Sequence, residues 1–214
     1  MSIPFTLKDF LEMLASYNAT FWPMQLVAYA LAIAALIFAV RSTNGSSRIV
    51  SGILTFFWLW VGIVFNWMYF SKLFPAAITF AVLFVIQGII FAVAGVLKKD
   101  LSFRVKADVC GLVGGLLILY GMVGYPAIEY LLGRGYPQLL PFGLVPCPTN
   151  VFTLGMLLWS VRRLPKYVLI IPFLHSLSGI VPVFLGVVED MGLVVAGLVA
   201  AIMLLYRDRR GKKE

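Results

Sequence analysis

The placement of the charged residues constrains this chain more than any other feature. Its 17 lysines and arginines and 9 aspartates and glutamates leave seven long uncharged stretches, at 13–40, 49–71, 73–97, 109–128, 135–161, 167–188 and 191–206. Crossing a hydrocarbon core of ~30 Å takes about 20 apolar residues at 1.5 Å per residue of helix. The first six stretches meet that length, and the seventh reaches it only by using its flanks or thinning the bilayer. A soluble surface needs roughly a quarter of its residues charged. Here 12% are charged, 62% are hydrophobic and mean hydropathy is +0.99, which excludes soluble enzymes, extracellular modules and disordered tails.

The expected fold is all-α: a polytopic membrane protein of seven transmembrane helices in a single integral membrane domain, 1–214. The spans are expected at about 22–40, 50–71, 76–97, 108–128, 142–161, 167–187 and 190–206, with a possible interfacial helix at 6–15. A barrel would alternate apolar with polar residues, and the apolar run 77–97 does not. Thr6 and Asp9 have the spacing of a capping pair, and Leu7, Phe10, Leu11 and Leu14 share one helical face. Tyr17, Phe21 and Trp22 then mark the outer headgroup level, and Asn18-Ala19-Thr20 has the form of a glycosylation acceptor. No basic segment precedes the first apolar run, so it reads as a retained helix rather than a cleaved leader.

Orientation follows from the basic residues, because lysine and arginine stay on the cytoplasmic side. Fourteen lie at 41–48, 98–106, 162–166 and 207–213; only Lys8, Lys72 and Arg134 lie on the opposite side. The N-terminus is therefore expected outside and the C-terminus in the cytoplasm. The net charge of +8 sets topology and meets anionic lipid rather than nucleic acid. The bilayer is the expected partner, a small solute or ion a further one, and oligomeric state is open.

Two cysteines make no disulfide framework. Cys110 begins span 4 at the inner side and Cys147 lies in the outer half of span 5, farther apart than the ~7 Å limit on Cα separation in a disulfide, so both are expected as free thiols. The segment around Cys147 breaks the pattern of regular spans. Pro137, Pro141, Pro146 and Pro148 fall inside one uncharged run, and proline removes a backbone donor and clashes with the carbonyl four residues back. Pro146-Cys147-Pro148 is therefore expected to unwind span 5, exposing carbonyls beside Thr149, Asn150 and Thr153. Such backbone lines a binding cavity in some membrane proteins and is a packed kink in others; both readings stand.

The run Phe142-Gly143-Leu144-Val145-Pro146-Cys147-Pro148-Thr149 resembles a stretch in a family of bacterial multi-pass membrane proteins of about this length, known only as a domain of unknown function. The resemblance implies a prokaryotic inner membrane and brings no activity, substrate or cofactor. More weakly, Pro137-Gln138 resembles a dipeptide of sugar transporters built as three helices, a linker helix and three more, although spans 1–3 and 5–7 show no mutual similarity.

Span 6 carries the only histidine, between Pro172 and Pro182, and His175, Ser178, Gly179 and Pro182 share one face. A neutral histidine bonded to a serine or a freed carbonyl, a proton relay, and a thiol–imidazole metal site with Cys147 are the alternatives. Asn66, Gln87, Tyr120 and Glu129 are further polar residues within spans, and Gly111, Gly114, Gly115, Gly121 and Gly124 mark span 4 as a central packing helix. Missing residues exclude several chemistries: a retinal lysine in the last helix, the histidines of a membrane zinc hydrolase or a bis-histidine haem, and a Gly-rich phosphate loop. No catalytic residue and no cofactor is expected, and metal binding is undecided. The expectation is a transporter or binding protein for a small solute or ion, using Cys147, His175, Asn150, Thr149, Ser178, Gln87 and Asn66. A thiol- or metal-dependent redox or sensor protein using Cys147, and a structural subunit of a membrane complex, are the alternatives.

Overall fold

In the computed structural model, which describes residues 4–210, the chain forms seven helical stretches: α1 (Leu7–Arg41), α2 (Ser46–Leu73), α3 (Ala77–Leu97), α4 (Val109–Leu131), α5 (Pro146–Leu158), α6 (Lys166–Phe184) and α7 (Asp190–Arg210). There is no strand among the described residues, only an isolated bridge between Phe103 and Ser160. Six of the seven helices are long and apolar enough to cross a membrane; α5 is not one of them.

The helix starts follow local chemistry. Thr6 and Asp9 close a reciprocal capping box at the head of α1. The segment 6–15 begins the helical stretch Leu7–Arg41, in which a first helix meets a second across a kink at Phe21, two residues before Pro23. The bend turns Leu14, Tyr17 and Asn18 into the core. Tyr17 is buried, and its hydroxyl donates to Leu144 O at 2.8 Å and accepts from Trp60 Nε1. Asn18 is unavailable for glycosylation, because its Nδ2 donates inward to Pro137 O and Leu139 O. α7 gains length from its flanks, as a short uncharged stretch requires, and spans 21 residues.

The largest departure from expectation is the fifth span. Pro146-Cys147-Pro148 does not unwind a helix but begins one. Proline is tolerated in a first turn, where the N–H has no intrahelical acceptor in any case. The resulting α5 has 13 residues, ~20 Å of rise, too short for the expected 142–161 crossing. Every residue from Cys147 to Leu158 is buried. The loop before it is buried too: Phe142 packs among Tyr29, Phe57 and Phe152. Gly143, at φ +78°, lies so close to Ala28 that a Cβ would meet it at 2.8 Å.

Six helices form a ring around this half-helix. Trp60 touches Tyr17 between α2 and α1, Trp58 stacks on Phe84 between α2 and α3, and Gln87 bonds Val168 O between α3 and α6. Gly179 packs on Leu193 between α6 and α7, Tyr125 bonds Asp190 between α4 and α7, and Tyr29 bonds Met122 O to close the ring from α1 to α4. α5, not α4, is thus the central helix. The glycines of α4 serve it: a Cβ on Gly114 would meet Gly155 O at 2.8 Å, and one on Gly121 would meet Pro148 O at 2.8 Å. The odd helix is the fifth, which also separates this fold from a three–one–three arrangement.

Outward faces are apolar. Leu112, Leu116, Leu119 and Val123 form an exposed stripe on α4, as do Ile78, Val82, Ile86 and Ile89 on α3. Such stripes suit lipid rather than water, so the chain is read as a membrane protein.

Candidate functional site

Helix direction brings the starts of α5 and α7 and the end of α4 to one end of the ring, and there the chain buries three carboxyl groups. Asp190 lies in the first turn of α7, Glu189 just before it and Glu129 near the end of α4; they are 1%, 2% and 0% exposed. Both Asp190 oxygens accept hydrogen bonds, Oδ1 from the Tyr125 hydroxyl at 3.0 Å and Oδ2 from the Cys147 thiol at 3.2 Å. The N-terminal dipoles of α5 and α7 add partial positive charge at this point. Glu129 takes the backbone N–H of Leu140 on both oxygens, at 3.0 and 3.1 Å, fastening the buried loop.

Glu189 Oε2 pairs with Arg134 Nη2 at 2.5 Å, and the Arg134 backbone N–H donates to Glu129 O. Tyr120 donates to Glu189 O at 2.7 Å, leaving Glu189 Oε1 buried without a partner. Three carboxyl groups are thus buried at this end, and the Arg134 guanidinium pairs with one of them, Glu189.

The residues expected from sequence do not form a single cavity. Cys147 belongs to the carboxyl cluster. His175 lies on the other side of α6, its ring edge-on to Phe84 at 4.8 Å, with Nδ1 3.3 Å from Ser178 Oγ and Nε2 buried without a partner. Ser178 Oγ also donates to His175 O. Gln87 and Asn150 both serve α6: Gln87 Nε2 donates to Val168 O at 3.0 Å and Asn150 Nδ2 to Pro172 O at 2.9 Å. Val168 O is the carbonyl that Pro172, lacking an N–H, leaves without its helical donor. Gln87 therefore repairs a proline break. Thr149 Oγ1 donates to Val145 O, Thr153 Oγ1 to Thr149 O, and Asn66 Nδ2 to Val61 O within a π-helical stretch of α2. Both cysteines are free, Cys147 buried and Cys110 partly exposed. Among the described residues no three His, Cys, Asp or Glu side chains are grouped to hold a metal ion.

The family of unknown function DUF6064 matches residues 7–214 of this chain. The chain belongs to that family. No curated protein and no solved structure matches it. Within this DUF6064 protein the Pro-Cys-Pro run earns a structural role, since it starts the central helix and aims Cys147 at Asp190. Glu189 and Asp190 escaped the sequence reading because they sit between two uncharged stretches and look like loop punctuation. The available signal was that 167–206 holds two adjacent acids and no base.

Proposed function

We propose that this protein moves a small solute or ion across the membrane by proton exchange at the Asp190–Cys147–Tyr125 centre, with Glu129 and the Glu189–Arg134 pair tuning the local field. The observation that carries this reading is the burial of three carboxyl groups, one of them paired with a guanidinium, where α5 and α7 begin and α4 ends. Interrupted helices whose termini point at a midplane site are a recurrent transporter device, and α5 is a helix that begins inside the ring. Fourteen basic residues in the segments of the opposite end support a cytoplasmic placement of that end. The carboxyl centre then faces the outer side of a prokaryotic inner membrane.

In this reading Asp190 takes a proton from the outer side and releases it after a rearrangement of α5 against α7, while the thiol and phenol keep hydrogen bonds to either form. Wild-type proteoliposomes, loaded with a pH-sensitive dye and voltage-clamped by a potassium ionophore, are expected to acidify in response to an imposed gradient with a co-supplied solute drawn from a small-molecule panel. Asp190→Asn should abolish that flux while retaining a monodisperse fold. Equal flux in the variant and the wild type contradicts the proposal.

A further inference from the structure

An open cavity of about 640 Å³ lies at the opposite end of the ring from the carboxyl centre, between the α1–α2, α3–α4 and α5–α6 connections. Four cationic side chains line it, Arg48, Lys99, Arg104 and Arg162, and no acidic side chain does. None of the four is ion-paired among the described residues, where the bridges are Lys8–Glu12, Arg134–Glu189 and Arg207–Asp208.

All four cations are exposed, and two of them are anchored by hydrogen bonds. Arg48 Nε is anchored on Val96 O at 3.1 Å and Arg162 Nη1 on Lys99 O at 3.3 Å. The connections themselves are stitched together. The Phe103 N–H donates to Ser47 Oγ, Ser42 Oγ donates to Phe103 O, and the Phe103–Ser160 bridge carries Arg104 N–H to Trp159 O and Val161 N–H to Ser102 O. Lys99 is held in the left-handed region, at φ +58°, a conformation that non-glycine residues rarely take. The head of the 28-residue α2 lies beside the cavity. Its Ser46 N–H donates to Thr43 O and its Arg48 N–H to Gly45 O, so what it adds there is the partial positive charge of a helix start.

We propose that this cavity binds a phosphate group, with Arg48, Lys99, Arg104 and Arg162 around the anion and the partial positive charge of the α2 head beside it. Guanidinium forks suit phosphate oxygens, and the volume admits a phospholipid headgroup as readily as a soluble phosphate. The site is independent of the carboxyl centre.

The test uses the full chain in neutral detergent, titrated separately with phosphatidylglycerol, phosphatidylcholine and inorganic phosphate, with retained adducts read by native mass spectrometry and melting followed in parallel. Each basic group near a membrane surface is worth about 1 kcal/mol, or about a fivefold change in affinity. The double variant Lys99→Gln/Arg104→Gln should lose phosphate-bearing adducts by more than about tenfold. The charge-preserving double variant Lys99→Arg/Arg104→Lys should retain them and report on folding. Arg163→Gln/Lys166→Gln removes the same charge from exposed positions outside the cavity and should leave binding within about twofold. Retention of phosphatidylglycerol over phosphatidylcholine assigns a lipid headgroup; retention of inorganic phosphate alone assigns a soluble phosphate, and either supports the site. Equal loss in the two charge-removing variants, or retention of neither phosphate probe, overturns it.

Discussion

The Cys147 thiol donates to Asp190 Oδ2 at 3.2 Å and so ties the first turn of the central half-helix to the first turn of α7. Removing one donor leaves a buried acceptor short of a bond, which costs about 1–3 kcal/mol. Cys147→Ala should lose stability by that amount, read as a lower Tm in detergent, while Cys147→Ser keeps a donor and should fall less. Tyr125→Phe removes the bond on the other oxygen. Combined with Cys147→Ala it should show coupling in a double-mutant cycle, because both act on one carboxyl group.

Thiol labelling distinguishes the two cysteines. Cys147 is buried and bonded, whereas Cys110 is partly exposed at the head of α4. A small maleimide should modify Cys110 readily and Cys147 only after denaturation, as read by intact mass. Rapid modification of Cys147 in the folded protein would place its thiol in a water-filled passage and revive a redox role for it.

Much of this was legible in the sequence, and the failures share a cause. Charge gaps locate the crossing helices because a charged side chain is costly in lipid, which is a local property. Whether an uncharged run faces lipid or protein is not local. The stretch 135–161 reads as a span by hydropathy, yet its helix is buried at every residue from Cys147 to Leu158, and only the small residues opposite it, Gly114 and Gly121, hint at that. The proline run was misread for a related reason, since proline breaks a helix interior but favours a first turn. Gln87 is legible as a polar residue within a span and Asn150 as a neighbour of the Pro-Cys-Pro run; their bonds to α6 depend on pairings across three helices that no spacing rule reports.

The proline repair on α6 gives a compensating pair. Gln87→Leu should destabilise by about 1–3 kcal/mol, since Val168 O then lacks both its helical and its side-chain donor. Pro172→Ala restores a backbone N–H, so the double variant should recover most of the loss in thermal melts. Additive losses would contradict this account of Gln87.

The close approach of α4 to α5 is set by glycine. Gly114→Val would drive a Cβ against Gly155 O and the Trp159 ring, and overpacking of this kind costs typically ~1–3 kcal/mol. Lower yield and lower Tm are expected from Gly114→Val. Gly52→Ala, where a Cβ meets nothing within 4 Å, should match the wild type.

Arg134 neutralises Glu189, and breaking a buried pair by removing one partner costs about 3–5 kcal/mol. Arg134→Gln should therefore destabilise strongly, and Arg134→Gln/Glu189→Gln should regain stability while keeping a hydrogen-bonding pair. Melting of the three proteins side by side reads the effect.

The central claim is that Asp190 exchanges a proton inside the ring. Infrared difference spectroscopy of the reconstituted protein across a pH jump reads that event directly, through the carbonyl stretch of a protonated carboxylic acid. The wild type is expected to show such a band, shifted by Cys147→Ala through the lost hydrogen bond and absent in Asp190→Asn. A pH jump that produces no carboxyl band in the wild type, or one that persists unchanged in Asp190→Asn, contradicts the account.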